Sequence, residues 1–305
     1  MNVLWIKDNN IGHEKQVKVL LDELSKDRNL NIDSRNIKGI PPIFKYIDKV
    51  QENFYDLIIG AGHKTYSFLL DIKKGQKESC KNIAILSPSA KRDKFDIICA
   101  PYHDLNKLKG LNNTIFYEGS LSRVSLNEVD QNILMIAIGG NNKHYYFNIN
   151  NLVQQINYFL SLHPNKNTYI FNSRRTPNSM NEKIFDIAKK NENVFICDVN
   201  NNESISFESI LHKASSKLIT RDSVNMIYES LSCKGKTYLI DMKPKKNNSK
   251  VVKNVNNLIK NKYVGHIECS NLVEGMSKMH LQKQNKYNEV FAEVEKVAYQ
   301  LNQLL

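Results

Sequence analysis

Three short loops in the second half of the chain have residue types suited to holding a diphosphate. Gly139-Gly140-Asn141, Ser173-Arg174-Arg175-Thr176 and Arg221-Asp222-Ser223 each follow an apolar run. Glycine lets a backbone approach an anion closely, arginine offers a planar fork of donors, and the free N–H groups at a helix start favour negative charge. Behind the third loop a helical pattern carries Asn225, Met226 and Glu229. Glu229 lies about two turns in, where a carboxylate can accept hydrogen bonds from a sugar hydroxyl. Arginine is scarce in this chain, yet three of its seven, Arg174, Arg175 and Arg221, fall at these strand ends. The plainer alternatives are that Asp222 is only a helix cap and that the arginines are solvated charges.

The first half offers a different chemistry. Gly12, His13, Glu14 and Gln16 open a helix directly after the first apolar run. The helix dipole disfavours the charged form of a histidine there, which suits a neutral general base. A histidine that merely caps or packs at the turn is the alternative. Gly62-His63 follows a later run in the same way, although His63 could equally be a surface residue. His103-Asp104 and Gly119 follow further runs and would line an acceptor site at the same edge.

Several chemistries are disfavoured. No G-x-x-x-x-G-K-[ST] loop, no full G-x-G-x-x-G with its acidic partner and no G-x-S-x-G elbow occurs, and no His/Asp/Glu spacing suggests a metal. Five scattered cysteines argue against a disulfide framework and for a reducing, cytoplasmic setting. The opening MNVLWIKDNN reads as a strand rather than a signal peptide, and no apolar run is long enough to span a membrane. The net charge is +12, from 43 basic and 31 acidic residues. A basic surface suits peripheral contact with an anionic membrane or glycolipid. No RNP, zinc-finger or helix-turn-helix signature points to nucleic acid.

These loops need a scaffold, and the pattern supplies one. Short apolar runs alternate with helical patterns almost from end to end, which predicts α/β architecture with parallel sheets. Strands are expected at Val3–Ile6, Leu30–Ile37, Tyr55–Ile59, Asn82–Leu86, Phe95–Ala100 and Asn113–Tyr117, with helices at His13–Leu24 and Pro41–Val50. The pattern restarts at Ile133–Ile138 and continues through Thr168–Asn172, Val194–Cys197 and Leu218–Arg221 to Thr237–Ile240, which is expected to close the sheet. A long last helix is expected over Lys283–Leu304. The expected organisation is two Rossmann-like domains facing across a cleft, 1–130 on the acceptor side and 131–280 on the nucleotide side. The segment 281–305 would form a helix packing back on the first domain.

GHEKQVKVL, PYHD, EGSLSRV, IAIGGNNKHYYF, NSRRTP and TRDSVNMIYESLSCKGKTYLI occur in this order over about residues 11–241. These blocks resemble the bacterial branch of the "elongated mitochondria" family, whose plant member is linked to mitochondrial fission. That family is similar to GT-B glycosyltransferases. The resemblance implies a nucleotide-sugar held by the C-terminal half, with Ser223 and Glu229 at phosphate and ribose. It also implies Gly12 and His13 at the acceptor or base position. The chain departs from the family pattern at Arg221 and at GAGHKT, residues 60–65. The expectation is a metal-independent glycosyltransferase with no cofactor beyond its nucleotide-sugar donor, a UDP-sugar first among candidates. Its acceptor would be a cell-envelope glycan or glycolipid, met in the cytoplasm or at the inner face of the membrane. A non-catalytic GT-B-like scaffold and a nucleotide-sugar epimerase are the rivals.

Overall fold

The computed structural model describes residues 1–37, 53–201, 205–271, 277–284 and 289–305. The chain divides into two compact units, Met1–Arg123 with Ala292–Leu305, and Val124–Phe291. The helix expected at Pro41–Val50 lies outside the described residues.

In the first unit, β1 (Asn2–Lys7) leads into α1 (Ile11–Leu24) and β2 (Asn31–Asn36). Then come β3 (Leu57–Ala61), α2 (His63–Lys73), β4 (Lys81–Ile85), β5 (Ile97–Pro101), the single turn α3 (Leu105–Leu108) and β6 (Thr114–Tyr117). The strands are parallel in the order β2-β1-β3-β4-β5-β6. The central strands read as continuous apolar runs because both faces of a parallel sheet are covered. β3 and β5 are buried along their whole length. Val17, Leu20, Leu21 and Leu24 form the buried stripe of α1 at helical spacing. The chain's last helix, Glu293–Leu304, packs against α1 and buries Val294, Val297 and Leu301. Arg28 fastens it: Nε donates to Asn302 Oδ1 and Nη2 to Asn302 O, both at 2.8 Å.

That last helix is shorter than its periodicity suggests. Lys283, Gln284 and Glu289–Ala292 are not helical. The side chain of Gln284 instead accepts from the Thr237 backbone N–H at 2.6 Å, and Phe291 N donates to Leu231 O. Tyr287, placed on the helix face by its spacing, lies outside the described residues.

The second unit contains β7 (Asp130–Ala137), α4 (Ile149–Ser161), β8 (Asn167–Phe171), α5 (Asn178–Lys189), β9 (Val194–Cys197) and α6 (Phe207–Lys213). It continues with β10 (Ala214–Thr220), α7 (Val224–Leu231), β11 (Lys236–Ile240), α8 (Lys250–Lys260), β12 (Gly265–Asn271) and β13 (Ser277–Gln282). The sheet order is β13-β12-β11-β10-β7-β8-β9. β11 therefore does not close the sheet. β12 extends it in parallel, and β13 pairs antiparallel at the edge. Residues such as His266 and Glu268 break the apolar run of β12, so a strand at the sheet margin lacks the signature of a central one. Gly265 is fitted to its place, since a Cβ there would lie 2.4 Å from the Tyr238 ring.

Both sheets reverse strand order once, between β1 and β3 and between β7 and β10. The crevice at the carboxyl ends of such strands is where open α/β sheets bind ligands.

Candidate functional site

At the switch point of the first unit the turn after β1 builds a carboxylate–imidazole pair. Asn10 caps α1, its Oδ1 accepting from Gly12 N at 3.0 Å and His13 N at 3.3 Å. The His13 ring reaches back so that Nδ1 lies 2.8 Å from Asp8 Oδ2. Asp8 is 4% exposed at its side chain and His13 24%. An ionised carboxylate only accepts, so Nδ1 carries the hydrogen, and in the neutral ring Nε2 holds the lone pair. Gly62, at the end of neighbouring β3, adopts φ +87° and forms the seat. A Cβ on Gly62 would fall 2.4 Å from both His13 Cε1 and Nδ1. An imidazole fixed in this way can take a proton from a hydroxyl at Nε2.

The other residues assigned to this edge divide in role. Gln16 is a structural tie: Oε1 accepts from the Tyr117 hydroxyl at 3.2 Å and Leu121 N at 3.3 Å, while Nε2 donates to Gly12 O. It is 5% exposed, and its amide is spent inside the unit. Glu14 is half-buried, with Oε1 buried and unpartnered among the described residues. His63 is exposed at the first position of α2. His103 lies 4.0 Å from Asp104, which pairs with Lys107 at 3.2 Å. Gly119 follows β6 with φ +68°. β5 is three strands from β1, roughly 14 Å at the usual strand spacing. His103 and His13 therefore follow well-separated strands of the same sheet.

In the second unit the site centres on Asp222, which does not cap α7. Its side chain turns beneath the Gly139-Gly140 turn, where Oδ2 accepts from Gly140 N and from Arg175 Nη2, each at 3.0 Å. Gly139 N donates to Thr220 Oγ1 at 2.8 Å. Both glycines are required by close approach: a Cβ on Gly139 would meet Asp222 Oδ2 at 2.3 Å, and one on Gly140 would meet Arg175 O at 1.9 Å. The Ser173–Thr176 loop locks on from the other side. The hydroxyls of Ser173 and Thr176 both donate to Gly139 O, and Asn141 N donates to Arg175 O at 3.2 Å. The Gly140 amide and the Arg175 guanidinium, expected to cradle a phosphate, hold the protein's own carboxylate instead. Burial pushes the Asp222 carboxyl up from its ordinary value, against the opposing pull of Gly140 N–H, the Thr220 hydroxyl and Arg175.

Arg221 takes a different partner. Its Nη1 lies 3.0 Å from Asp241 Oδ1, just beyond β11. Arg174 is exposed on the Ser173–Thr176 loop. The three arginines are thus not gathered around one point. The start of α7 remains: Ser223 sits at the cap position without a side-chain cap hydrogen bond. Ser223, Asn225, Met226 and Glu229 are half-buried, while Ile227, Tyr228 and Leu231 face the core. Glu229 stands one helical turn beyond Asn225 on the same side. A helix start of this kind accepts an anion, and a carboxylate one turn on accepts hydroxyl hydrogens.

The sequence profile of the family described as Mitochondrial fission ELM1 matches residues 8–305. The chain belongs to this family. No curated protein matches it by sequence. Among solved structures, the ADP-heptose lipopolysaccharide heptosyltransferase II of E. coli superposes with TM-score 0.53 at 10% identity, over 100% of this chain and 98% of its own. A UDP-GlcNAc 2-epimerase from Neisseria meningitidis, bound to UDP-GlcNAc, gives 0.53 at 13% identity over 85% and 92%. One from Methanocaldococcus jannaschii, in complex with UDP-GlcNAc and UDP, gives 0.52 at 11% over 99% and 100%. At such identities the likeness is one of fold, and the fold is GT-B: two α/β domains, each on a mainly parallel sheet.

In this chain the contacts of Asp8 with His13, Asn10 with the start of α1 and Asp241 with Arg221 are ones that sequence reasoning does not reach. Asp8 and Asn10 sit in an irregular turn, where no periodicity reveals who faces whom. Asp241 follows an apolar strand, as the other loops do, and that position was its signal. Among the described residues no group of three or more His, Cys, Asp or Glu could hold a metal ion, and no helix is long and apolar enough to cross a membrane.

Proposed function

We propose that the protein transfers a sugar from a nucleotide-diphosphate donor to an acceptor hydroxyl, with His13 as the general base. The observation that carries this is the buried Asp8 carboxylate on His13 Nδ1, which fixes Nε2 as the accepting nitrogen. Asp8 also stabilises the imidazolium that forms when the acceptor proton arrives. The donor diphosphate lies at the start of α7 beside Ser223, and Glu229 takes a ribose or sugar hydroxyl. Fixed donors at a helix start meet developing negative charge without reorganisation, so the scheme needs no metal. A UDP-sugar is the first donor to try, because two fold neighbours were solved with UDP-GlcNAc. The acceptor is a cell-envelope glycan or glycolipid, approached from the cytoplasmic side by a protein whose net charge of +12 favours an anionic surface.

The epimerase neighbours favour a second reading, in which the same fold isomerises the donor sugar without an acceptor. Product analysis separates the two. The protein is incubated with UDP-, GDP-, ADP- and CMP-sugars, alone and with an envelope glycolipid extract. A transferase releases nucleotide and labels the extract only when both substrates are present. A new sugar isomer from the donor alone establishes the epimerase, and donor binding without any product in either arm leaves a non-catalytic scaffold.

A further inference from the structure

Arg221 leaves the donor-binding elements and enters a separate cavity of about 820 Å³ at the carboxyl ends of β10 and β11. Tyr146, Asn148, Asn151, Asp241 and Lys243 are among the residues that line it. Ser223, Asn225, Met226 and Glu229 are not, so the cavity stands or falls independently of the donor reading.

The walls are rich in donors and poor in acceptors. Asn148 spends its Oδ1 on Asn151 N at 3.1 Å, and Asn151 spends its Oδ1 on Gln155 Nε2. Each amide then presents its NH2 end. Asp241 is the one carboxylate among the described lining residues, and Arg221 neutralises it. Buried Gln155 clamps the Asp241 backbone from both sides, accepting from its N–H at 2.6 Å and donating to its carbonyl at 2.9 Å. Arg221 is only 9% exposed, yet its Nε has no partner among the described residues. Arg221 lines the cavity, and a buried guanidinium with one N–H unmet is a ready partner for an oxygen acceptor.

Lys243 lines the cavity, and the loops beside it carry further charge. Tyr146 N donates to Lys243 O and Lys245 N to His144 O, zipping two loops together, while His144 Nδ1 meets Ser249 Oγ at 2.8 Å. This ladder sets exposed Lys143, Lys243, Lys245 and Lys246 on neighbouring loops beside an exposed Tyr146. Net positive charge with several N–H donors suits a dianion better than a monoanion.

We propose that this cavity binds a phosphomonoester, with Arg221 as its anchoring cation and the Asn148 and Asn151 amides completing the grip. A soluble sugar phosphate and a phosphatidic-type lipid head share that chemistry. The full chain is titrated calorimetrically with glucose 6-phosphate and with glucose, and co-sedimented with phosphatidylcholine vesicles with or without phosphatidic acid. Asn151→Asp and Lys243→Glu are measured alongside, because each adds negative charge without removing the Arg221–Asp241 pair; thermal melts confirm that they fold. The expected result is binding of a phosphate-bearing probe but not of glucose or plain vesicles, weakened about tenfold or more in each variant. Binding confined to the soluble probe assigns a sugar phosphate, and binding confined to the vesicles assigns a lipid. Failure of both phosphate probes, equal binding of glucose, or undiminished binding by both folded variants overturns the proposal.

Discussion

Asp8 Oδ2 and His13 Nδ1 stand 2.8 Å apart across the turn that joins β1 to α1. The contact fixes which ring nitrogen can accept a proton. Asp8→Asn keeps the size of the side chain but lets the amide donate to Nδ1, which favours the wrong tautomer. Turnover is expected to fall by about 10²–10⁴-fold, the range for general acid–base assistance, with donor affinity unchanged. Steady-state rates beside a binding titration test this; an equal loss of both places the pair outside the chemistry.

Gly62 is held at φ +87° against the His13 ring. Gly62→Ala faces both a strained backbone and a 2.4 Å contact. A loss of about 1–3 kcal/mol in unfolding free energy is expected, together with a displaced imidazole and reduced turnover. Urea denaturation measures the first effect. Stability equal to that of the parent shows that the seat is not tight.

The lesson from the sequence lies in which of these contacts it could announce. Strands such as LIIGA and IICAP declared themselves because a parallel sheet covered on both faces demands unbroken apolar runs. The edge pair β12 and β13 has no such demand and stayed hidden. Asp222-Ser223 before an apolar helix reads as a cap, and Gly139-Gly140 reads as an anion cradle. Only the fold reveals that the Asp222 carboxylate fills the space those glycines leave, so two separate signals describe one packed contact. Likewise Arg175 and Arg221 sit at strand ends as expected, but each is claimed by a different carboxylate.

Asp222 gives the second unit a distinctive response to pH. Burial raises its carboxyl above the ordinary 3.8, so the native state holds this proton more tightly than the unfolded chain does. Its contribution to stability is therefore greatest below the unfolded value and declines as pH rises through the folded one. Ordinary salt-bridged carboxylates slope the other way. In thermal melts from pH 3 upward, Asp222→Asn is expected to remove this declining component, whatever its constant offset. Parallel curves for the two proteins contradict the assignment.

Lys217 lies wholly buried in β10, and its ammonium donates to Ser230 O at 3.2 Å and to the carbonyl of Lys234, with Cys233 Sγ at 3.1 Å. It closes the carboxyl end of α7, where orphan carbonyls and the dipole favour a cation. Lys217→Met keeps the stem and leaves these carbonyls unmet. A cost of about 1–3 kcal/mol in urea unfolding is expected. A neutral or stabilising effect means that removing a buried charge outweighs the lost hydrogen bonds.

A nucleotide-sugar bound at the start of α7, with His13 as the base for the acceptor hydroxyl, is the core of the proposed function. The decisive measurement is a calorimetric titration of the parent, Glu229→Ala and His13→Ala with UDP-, GDP-, ADP- and CMP-sugars. One donor is expected to bind the parent, with Glu229→Ala weakening it by about 1–3 kcal/mol and His13→Ala leaving it intact while abolishing turnover. Absence of binding by every donor, or equal affinity for the parent and Glu229→Ala, rules the proposed site out.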